Sequence, residues 1–331
     1  CTATETVTLT EPTQVAGTIV QLSNETCPAN NDGVISVSAV AGSGVGPYMY
    51  SFDAGTTFSS SISTATGLSG SVAGTTYTVI VRDANGCTTT VSGVIFEAAP
   101  VDITNVSVTS NYNGFDVSCF GASNGSAAII HTGGTLPVTY LWSTNAAAQT
   151  TISATGLIAG TYGVTITDAN GCEIDTFITL TQPTALSMSA IATNAGCNGS
   201  GSGEITANGA GGAGSYTYAI NNGAFGATNV WSNLTAGTYT VSVQDVNGCG
   251  PVQQTLNITQ SAPIVVTTNV LTPYNGQALA CAGGTNATAT VTASPAGVYT
   301  YAWDANAGGQ TTNTAINLSA CLLYTSPSPR D

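Results

Sequence analysis

The chain has 331 residues with a net charge of −14, since 16 acidic residues stand against two basic ones. This balance excludes a nucleic-acid partner and an anionic membrane surface, because both need clustered Lys and Arg. No apolar run approaches the roughly 18 residues of a membrane-spanning helix. The abundant Gly, Thr, Ser and Asn, with alternating Val, Ile and Tyr, is typical of strands joined by tight turns.

One sequence element recurs along the chain. "DANGC" stands at Asp83–Cys87 and Asp168–Cys172, and "DVNGC" follows at Asp245–Cys249. Each unit ends in a Pro, so that we predict internal repeats. The predicted ranges are 1–12 (the last strand of a preceding repeat), 13–100 (repeat 1), 101–183 (repeat 2), 184–263 (repeat 3), 264–320 (a truncated repeat 4) and 321–331 (a tail).

The elements follow a constant order within each repeat. A first strand leads to Cys and a Gly/Asn-rich turn, then to a second strand and to a strand with aromatics two residues apart. An "AGTY" stretch opens a further strand, which the "NG" turn joins to the last one. Period-two alternation bounded by Gly, Asn and Pro gives about seven strands in roughly 80 residues. The chain is therefore predicted to be all-β, with tandem immunoglobulin-like or PKD-like β-sandwich repeats in a linear array.

The aromatic strand and the strand after it carry the predicted core markers. Trp142 and Trp303 occupy one slot, and a large apolar residue there resembles the buried strand-C Trp of immunoglobulin-like folds. Tyr77, Tyr162 and Tyr239 each open the penultimate strand. We interpret them as tyrosine corners, whose hydroxyl binds the turn backbone, and the alternative is a half-exposed strand Tyr.

The "DxNG" element predicts a hairpin tip. Asn-Gly supplies the positive φ of a tight turn, and the Asp accepts hydrogen bonds from the turn backbone. Asp83, Asp168 and Asp245 are also candidate calcium ligands at domain junctions, with turn carbonyls as further ligands. Their role in the turn already explains them, so that no cofactor other than a possible calcium ion is expected.

Cysteines recur once early and once late in each repeat. Regular spacing predicts disulfides, whereas a metal site would need close Cys pairs or His partners. Within-repeat pairing would give Cys27–Cys87, Cys119–Cys172 and Cys197–Cys249. However, a sandwich strand spans roughly 25 Å, and a disulfide needs Cα atoms within about 7 Å. Pairing between repeats would instead give Cys27–Cys172 and Cys119–Cys249, with Cys197 awaiting a late Cys in repeat 4. Both schemes, and free thiols, stay open.

Nothing in the sequence predicts an enzyme. "GASNG" at Gly121–Gly125 matches the G-x-S-x-G pattern, but that chemistry needs a strand–turn–helix elbow and a His base. The stretch is equivalent to turns in the neighbouring repeats, and His131 is expected within the next strand.

Repeat 2 resembles a known family. The strings "CFGASNGS", "GGTLPVTYLW", "GLIAGTYGVTITDANGC" and "ITLTQP" are similar to SprB-type repeats of giant cell-surface adhesins in gliding and other Bacteroidetes. The resemblance covers 13–320 and the strand at 1–12. Repeat 1 departs by the insertion "SGSV", and repeat 3 has Ile220 in place of Trp. The resemblance implies type IX secretion and display on the bacterial surface, with a role in gliding motility.

Two functions remain open at this point. The repeats either bind a cell-surface or polysaccharide ligand or form a stalk that spaces a binding tip, with neighbouring repeats of the same chain as partners. Pro-ended joints with almost no linker favour the stalk. The alternative is an S-layer-like component or an accessory carbohydrate-binding module of a secreted polysaccharide-degrading enzyme.

The ends of the chain break the repeat pattern. The chain opens at Cys1 in mid-pattern, which predicts a fragment of something longer. Repeat 4 runs to "INLSA" and continues as "CLLYTSPSPRD" at 321–331. We interpret this tail as translated sequencing adapter rather than protein, and the alternative is a natural C-terminus.

Overall fold

The fold is known from a computed structural model. It describes residues 2–271 and 273–320 and the backbone of 328–329, so Cys1 and most of the proposed adapter tail, including Cys321, lie outside the described residues. The chain divides into two compact units, Cys1–Ala185 and Leu186–Asp331. The described residues form strands and two short 3-10 turns, Thr144–Ala146 and Ala305–Ala307, which confirms the all-β prediction.

Repeat 1 forms two antiparallel three-stranded sheets in the first unit. One sheet has the strand order β1-β2-β4 and the other β3-β5-β6. The strands are β1 (Gly17–Ser23), β2 (Gly33–Ala39), β3 (Met49–Ser51), β4 (Thr64–Leu68), β5 (Thr75–Arg82) and β6 (Thr88–Ile95).

Repeat 2 follows the same plan. Its sheets have the orders β7-β8-β10 and β9-β11-β12, and the last strand packs beside the first across the open edge of the sandwich. The strands are β7 (Val101–Val108), β8 (Gly125–Gly133), β9 (Thr139–Trp142), β10 (Ser153–Leu157), β11 (Gly160–Thr167) and β12 (Glu173–Leu180).

The second unit holds repeats 3 and 4. Repeat 3 again has two sheets, β13-β14-β16 and β15-β17-β18. In repeat 4 the described residues form one such sheet, β19-β20-β22, while β21 pairs only with β23. The strands are β13 (Thr184–Thr193), β14 (Gly203–Gly212), β15 (Thr217–Ile220), β16 (Val230–Leu234), β17 (Gly237–Gln244), β18 (Val252–Ile258), β19 (Val265–Val270), β20 (Ala287–Ser294), β21 (Tyr299–Thr300), β22 (Thr314–Leu318) and β23 (Ser328–Pro329).

The core of each sandwich comes from period-two alternation. Along β11, residues Tyr162, Val164 and Ile166 are buried while the residues between them are more exposed, because successive side chains point to opposite faces. Trp142 and Leu180 complete this core from neighbouring strands. Full burial of each such side chain contributes about 1.5–3 kcal/mol, so the sandwich is stabilised by its inner faces.

The complete repeats have six strands rather than the predicted seven. The stretch around the early Cys is a turn. Its own side chains bind its backbone, which makes no hydrogen bonds to a neighbouring strand there. In repeat 2, Ser118 N–H donates to Asn124 Oδ1 at 3.1 Å, and Gly114 N–H donates to Asn111 Oδ1 at 3.0 Å. Asn side chains compete with sheet hydrogen bonds in this way, and the stretch forms the turn that the sequence predicted there.

Candidate functional site

The hairpin tip of repeat 2 is organised by Asp168, which lies between β11 and β12. Its Oδ1 accepts from the N–H groups of Asn170 and Cys172, both at 2.9 Å. Its Oδ2 accepts from Thr135 N–H at 2.9 Å, in the turn before β9. One buried carboxylate therefore shapes the tip and ties it to a second loop, as the sequence predicted for the turn itself.

The charge of Asp168 is stabilised by these donors. The backbone N–H of Thr135 and those of the tip lower the pKa of its carboxyl, and they outweigh the opposing effect of burial. At Asp83 burial is the largest single influence and would raise the pKa, but the combined backbone hydrogen bonds still lower it. Both carboxylates are thus held ionised by peptide dipoles.

The same geometry recurs at the other tips. Asp83 and Asp245 are also buried, and each accepts from the residues two and four positions further on and from a loop at the same end of its sandwich. The donors are the N–H groups of Asn85, Cys87 and Val45 for Asp83, and of Asn247, Cys249 and Ala213 for Asp245.

The early Cys of repeat 1 lies in a loop shaped by another carboxylate. Asp32 accepts from Thr26 N–H at 2.9 Å, from the Thr26 hydroxyl and from Asn30 Nδ2 at 3.1 Å. The bond from the Thr26 hydroxyl is the first of the causes that lower the Asp32 pKa. The turn before Cys27 is therefore fixed by side chains of the loop itself.

The tip of repeat 2 meets this loop of repeat 1. A disulfide joins Cys27 to Cys172, with Cα atoms 5.5 Å apart and a sequence separation of 145 residues. Beside it, Asn170 Nδ2 donates to Thr26 O at 3.1 Å and to Thr135 Oγ1 at 3.0 Å. We call this contact the joint. It links the first turn of one repeat to the hairpin tip of the next.

The cysteines follow the between-repeat scheme where the structure describes the pair. Cys119 and Cys249 are also disulfide-bonded, and their pairing with each other stays a prediction. Cys87 and Cys197 have exposed free thiols, as does Cys281. The within-repeat scheme is therefore wrong: two of its pairs would need a thiol that is free, and the third would need Cys172, which is bonded to Cys27.

The tyrosines that open the penultimate strands of repeats 1, 2 and 3 bind turn carbonyls. Tyr162 Oη donates to Ile158 O at 2.8 Å, four residues back, and Tyr239 Oη donates to Thr235 O at 2.9 Å. Tyr77 Oη reaches eight residues back, to Ser69 O at 2.9 Å. The longer span includes the "SGSV" insertion of repeat 1, so the corner tolerates extra residues beneath the ring.

The two tryptophans of the aromatic strands are buried in their cores. Trp142 Nε1 donates to Thr151 O and Trp303 Nε1 donates to Thr312 O, each at 2.9 Å. Both rings thus satisfy their one polar group when buried, as buried indoles usually do.

The three calcium candidates each lie in a different repeat, and His131 lies in repeat 2. In the described part of the chain, no group of three or more His, Cys, Asp or Glu side chains could hold a metal ion. The calcium expectation for Asp83, Asp168 and Asp245 stays a prediction. His131 lies on β8, where its Nε2 is 2.7 Å from the Tyr140 hydroxyl. In the ranges 2–271 and 273–320, no helix is long and apolar enough to cross a membrane.

Sequence reasoning missed two features of these surfaces. One is the second role of Asn170, which binds repeat 1 besides forming its own turn. The other is the outer face of β9-β11-β12, where exposed Phe177 lies opposite Gly163 and exposed Leu141 lies opposite Thr165. A visible signal was the change from "TYTV" to "TYGV" at Gly163.

Comparison with known proteins gives one family. The SprB repeat model matches residues 115–147 and 189–225. No curated protein matches the chain.

Three of the similar solved structures share little sequence with this chain. The protocadherin gammaB7 EC3-6 structure is 14% identical, covers 92% of each chain and gives a TM-score of 0.33. The N-terminal eight Ig domains of the Down syndrome cell adhesion molecule are 11% identical over 88% of this chain and 42% of that one, with a TM-score of 0.29. The C-terminal intimin fragment, solved with its receptor's binding domain, is 13% identical over 54% and 67%, also with a TM-score of 0.29.

The family match falls on the parts of the chain that carry the repeat signature. Residues 115–147 span the early Cys turn, β8, β9 and the 3-10 turn, and 189–225 span the end of β13, the early Cys turn, β14 and β15. Together with the tandem sandwiches they support a repeat-containing extracellular segment of the adhesin type. The SprB repeat model thus matches part of repeat 2 and part of repeat 3.

Proposed function

We propose that the chain is a structural segment of a secreted bacterial surface adhesin, which forms an extended stalk for attachment or gliding. Export by the type IX system and display at the cell surface belong to the same proposal. The main support for the stalk is the joint between repeats 1 and 2, because a load-bearing stalk needs a covalent link between successive repeats. The SprB matches support the adhesin class.

The disulfide changes how the chain responds to tension. A pull on the two ends passes through Cys27–Cys172 and bypasses the residues between them. With a separation of 145 residues, this shields about 500 Å of extended chain at about 3.6 Å per residue. Unfolding of repeat 1 or repeat 2 under load would then release little length, which keeps a binding tip at a fixed reach.

Single-molecule force spectroscopy on the full chain tests the stalk. In a chain whose Cys119 and Cys249 are both replaced by Ser, so that no second disulfide shortens the path, the fully stretched length should grow by about 500 Å in Cys27→Ser, because the bypass is lost. Cys87→Ser is the matched control, since Cys87 is a free thiol at the equivalent tip of repeat 1, and it should leave the length unchanged. Equal lengths for both variants would contradict a load-bearing joint.

Direct binding is the second candidate, and the outer face of repeat 2 favours it. Phe177 is 74% exposed and lies opposite Gly163 in the β11–β12 ladder. A Cβ at Gly163 would meet nothing closer than 3.8 Å, so packing does not require the glycine. Gly inside a strand weakens it and often marks the close approach of a ligand. An apolar platform beside Thr165 and Asp175 suits a neutral sugar chain.

Polysaccharide binding by the full chain separates the two candidates. Direct binding predicts saturable affinity that Phe177→Ala lowers by about tenfold, while Phe120→Ala, a second exposed Phe of repeat 2, leaves it unchanged. A stalk predicts no saturable binding in either variant. Binding that survives Phe177→Ala would exclude this face as the site. It would favour the accessory-module or S-layer alternatives.

A further inference from the structure

The third strand of each complete repeat lies at an edge of its sheet. In repeat 2 this strand is β9, and Ser143, the residue after it, donates its N–H to Gly163 O on β11 at 2.9 Å. The backbone groups of successive residues in an antiparallel strand point alternately toward and away from the neighbouring strand. Those of Leu141 therefore point toward β11, and those of Tyr140 point toward the outer edge of the sheet.

Repeats 1 and 3 close this edge with their own loops. Tyr50 and Tyr218 hold the position of Tyr140, since each pairs with the same residue of the next strand. Tyr50 N–H donates to Ser59 O at 2.8 Å, and Ser59 N–H donates to Tyr50 O at 3.0 Å. Tyr218 and Gly226 exchange the same two bonds at 2.8 and 2.9 Å. Each loop thus adds a one-residue bridge to the edge of the sheet.

A Phe precedes the bridging residue in both loops. The loops read "TTFSSS" at 56–61 and "GAFGAT" at 223–228. In repeat 1 the ring of Phe58 lies against Arg82 on the outer face of the sheet, with the guanidinium carbon 3.8 Å from the ring centroid. Ser51, the outward residue of the third strand, is 1% exposed, and Ala219 at the same position of repeat 3 is 2% exposed. The outward side of the third strand is therefore covered in both repeats.

Repeat 2 leaves the same place open. Its chain enters the 3-10 turn directly after β9, and Trp142 N–H donates to Gln149 O at 2.9 Å. Among the hydrogen bonds of the described residues, none reaches the backbone of Tyr140 from the outer edge. Leu141, the outward residue of this strand, is 53% exposed. The edge that the other two repeats cover with a loop is thus accessible in repeat 2.

A cleft of about 280 Å³ adjoins this open edge on the outer face of the sheet. Its lining includes Leu141, Ala148, Thr165 and Asp175. Thr165 and Thr167 pair with β9 as Ile80 and Arg82 pair with the third strand of repeat 1. The cleft therefore lies next to the place that the ring of Phe58 takes in repeat 1, and it offers room for an aromatic side chain.

The charge beside the cleft favours a basic partner. Asp175 and Glu173 are exposed on β12, where they accept from the hydroxyls of Thr165 at 2.6 Å and Thr167 at 3.3 Å. Thr167 stands where repeat 1 has Arg82, so repeat 2 lacks the cation that covers the ring. A cation on the partner would be attracted by the two carboxylates and could stack on its own aromatic ring. Since this chain has only two basic residues, a different protein is the better source of that cation.

We propose that the open edge of β9 binds an extended segment of a second protein. In that segment an aromatic residue precedes a small one, and a Lys or Arg lies close by. The small residue exchanges two backbone hydrogen bonds with Tyr140, as Ser59 does with Tyr50. The aromatic side chain lies over Leu141, and the cation faces Asp175. Strand addition of this kind obtains affinity from main-chain bonds and specificity from the side-chain cleft.

This binding goes beyond the stalk function, which needs no second protein. It also differs in place from the sugar platform at Phe177, which lies on β12 at the other edge of the sheet. The force measurement on Cys27→Ser does not depend on it, so the stalk and the strand-binding edge can fail separately.

Calorimetric titration of the full chain with a synthetic peptide tests the proposal. The probe is the end-blocked peptide KTTFSSSK, which places the sequence of residues 56–61 between two lysines. We expect saturable binding with a Kd on the order of 100 μM at low salt, and weaker binding as salt screens the lysines. The peptides KTTASSSK and ETTFSSSE should each bind about tenfold more weakly. Absence of saturable binding up to about 2 mM peptide would overturn the proposal.

A pair of matched variants locates the peptide. Leu141→Lys should weaken the binding of KTTFSSSK by about tenfold, because it removes an apolar contact and repels the lysines of the peptide. Ile130→Lys is the control, since Ile130 is 55% exposed on β8 of the other sheet, and it should leave the affinity unchanged. Equal effects of the two substitutions would show that the peptide does not bind at the edge of β9.

Hydrogen exchange of single amides, measured by NMR, checks that a strand is added. Saturation with KTTFSSSK should slow the exchange of the Tyr140 N–H by about tenfold or more. The Leu141 N–H, which points toward β11, is the internal control and should change little. A neutral polysaccharide on the Phe177 platform would leave both amides unchanged. Binding of the peptide without protection of the Tyr140 N–H would rule out strand addition.

Discussion

Repeats 2 and 4 carry nearly the same local structure around different amounts of core. In both, a buried Trp is followed by a 3-10 turn, and a Gln side chain binds two nearby carbonyls. Gln149 Nε2 donates to Ala146 O and Thr155 O, and Gln310 Nε2 donates to Ala307 O and Ile316 O, at 2.7–3.0 Å. Repeat 2 closes over this unit with β11 and β12, and the described part of repeat 4 does not.

The difference shows which contacts are local. The Trp, the 3-10 turn and the Gln lie within about twenty residues, so their hydrogen bonds form wherever the sequence places them together. Closure depends instead on a strand that follows much later in the chain. The local hydrogen bonds of such a repeat therefore do not require the second sheet, whereas full coverage of its apolar core does.

The largest effect expected is the loss of a core indole. Trp142→Ala should cost repeat 2 about 3–5 kcal/mol, because the ring is fully buried. Trp303→Ala should cost repeat 4 clearly less, since its described part lacks the covering sheet. Hydrogen exchange of each repeat, read by mass spectrometry, measures both. Equal losses would show that repeat 4 is as well closed as repeat 2.

Leu180 of "ITLTQP" and Leu9 of "VTLTEP" occupy the same position of one sequence motif, but Leu180 is buried and Leu9 is exposed. Leu180→Ala should destabilise repeat 2 by about 3 kcal/mol through the cavity that it leaves. Leu9→Ala changes the same motif position, but it should alter the stability of isolated chains by less than about 0.5 kcal/mol, because Leu9 is in water. Denaturant unfolding at low protein concentration measures the free energy of unfolding of both variants. A large effect at Leu9 would mean that its segment packs on its own copy.

The hairpin tip makes repeat 2 sensitive to acid. The pKa of Asp168 is lowered in the folded chain, so its contribution is complete above the unfolded pKa of about 3.9 and is lost as the pH falls through the folded pKa. Asp168→Asn should cost about 2 kcal/mol near neutral pH, because an amide cannot accept all three N–H bonds. The difference between the two proteins should shrink below pH 4. A cost that does not change with pH would contradict this account. Thermal unfolding from pH 2 to 7 measures it.

The smallest effect concerns the tyrosine hydroxyls. Tyr162→Phe should lower the stability of repeat 2 by about 1 kcal/mol, since removal of the hydroxyl leaves Ile158 O without its donor. Tyr77→Phe should cost less, because water replaces the lost bond at a half-exposed site. Hydrogen exchange near residue 158 and near residue 69 compares the two. A larger cost at Tyr77 would mean that the insertion of repeat 1 depends on its corner.

Much of each sandwich could be predicted from short stretches of sequence. The Asn-Gly tips, the buried tryptophans and the alternation of β11 depend on residues close in sequence, where propensity and period decide. The strand count was too high by one, but the stretch around the early Cys was predicted as a turn and forms one. Side chains such as Asn124 bind its backbone, and composition alone does not reveal such bonds.

By itself the sequence determined that this chain is a series of β-sandwich repeats with one hairpin tip in each of the first three. The tertiary structure decided which loops meet. From the sequence, Cys27 could pair with Cys87 or with Cys172. Its bond to Cys172, at a sequence separation of 145, follows from the end of the sandwich at which each turn lies. Such contacts join residues distant in sequence, and no local pattern records them.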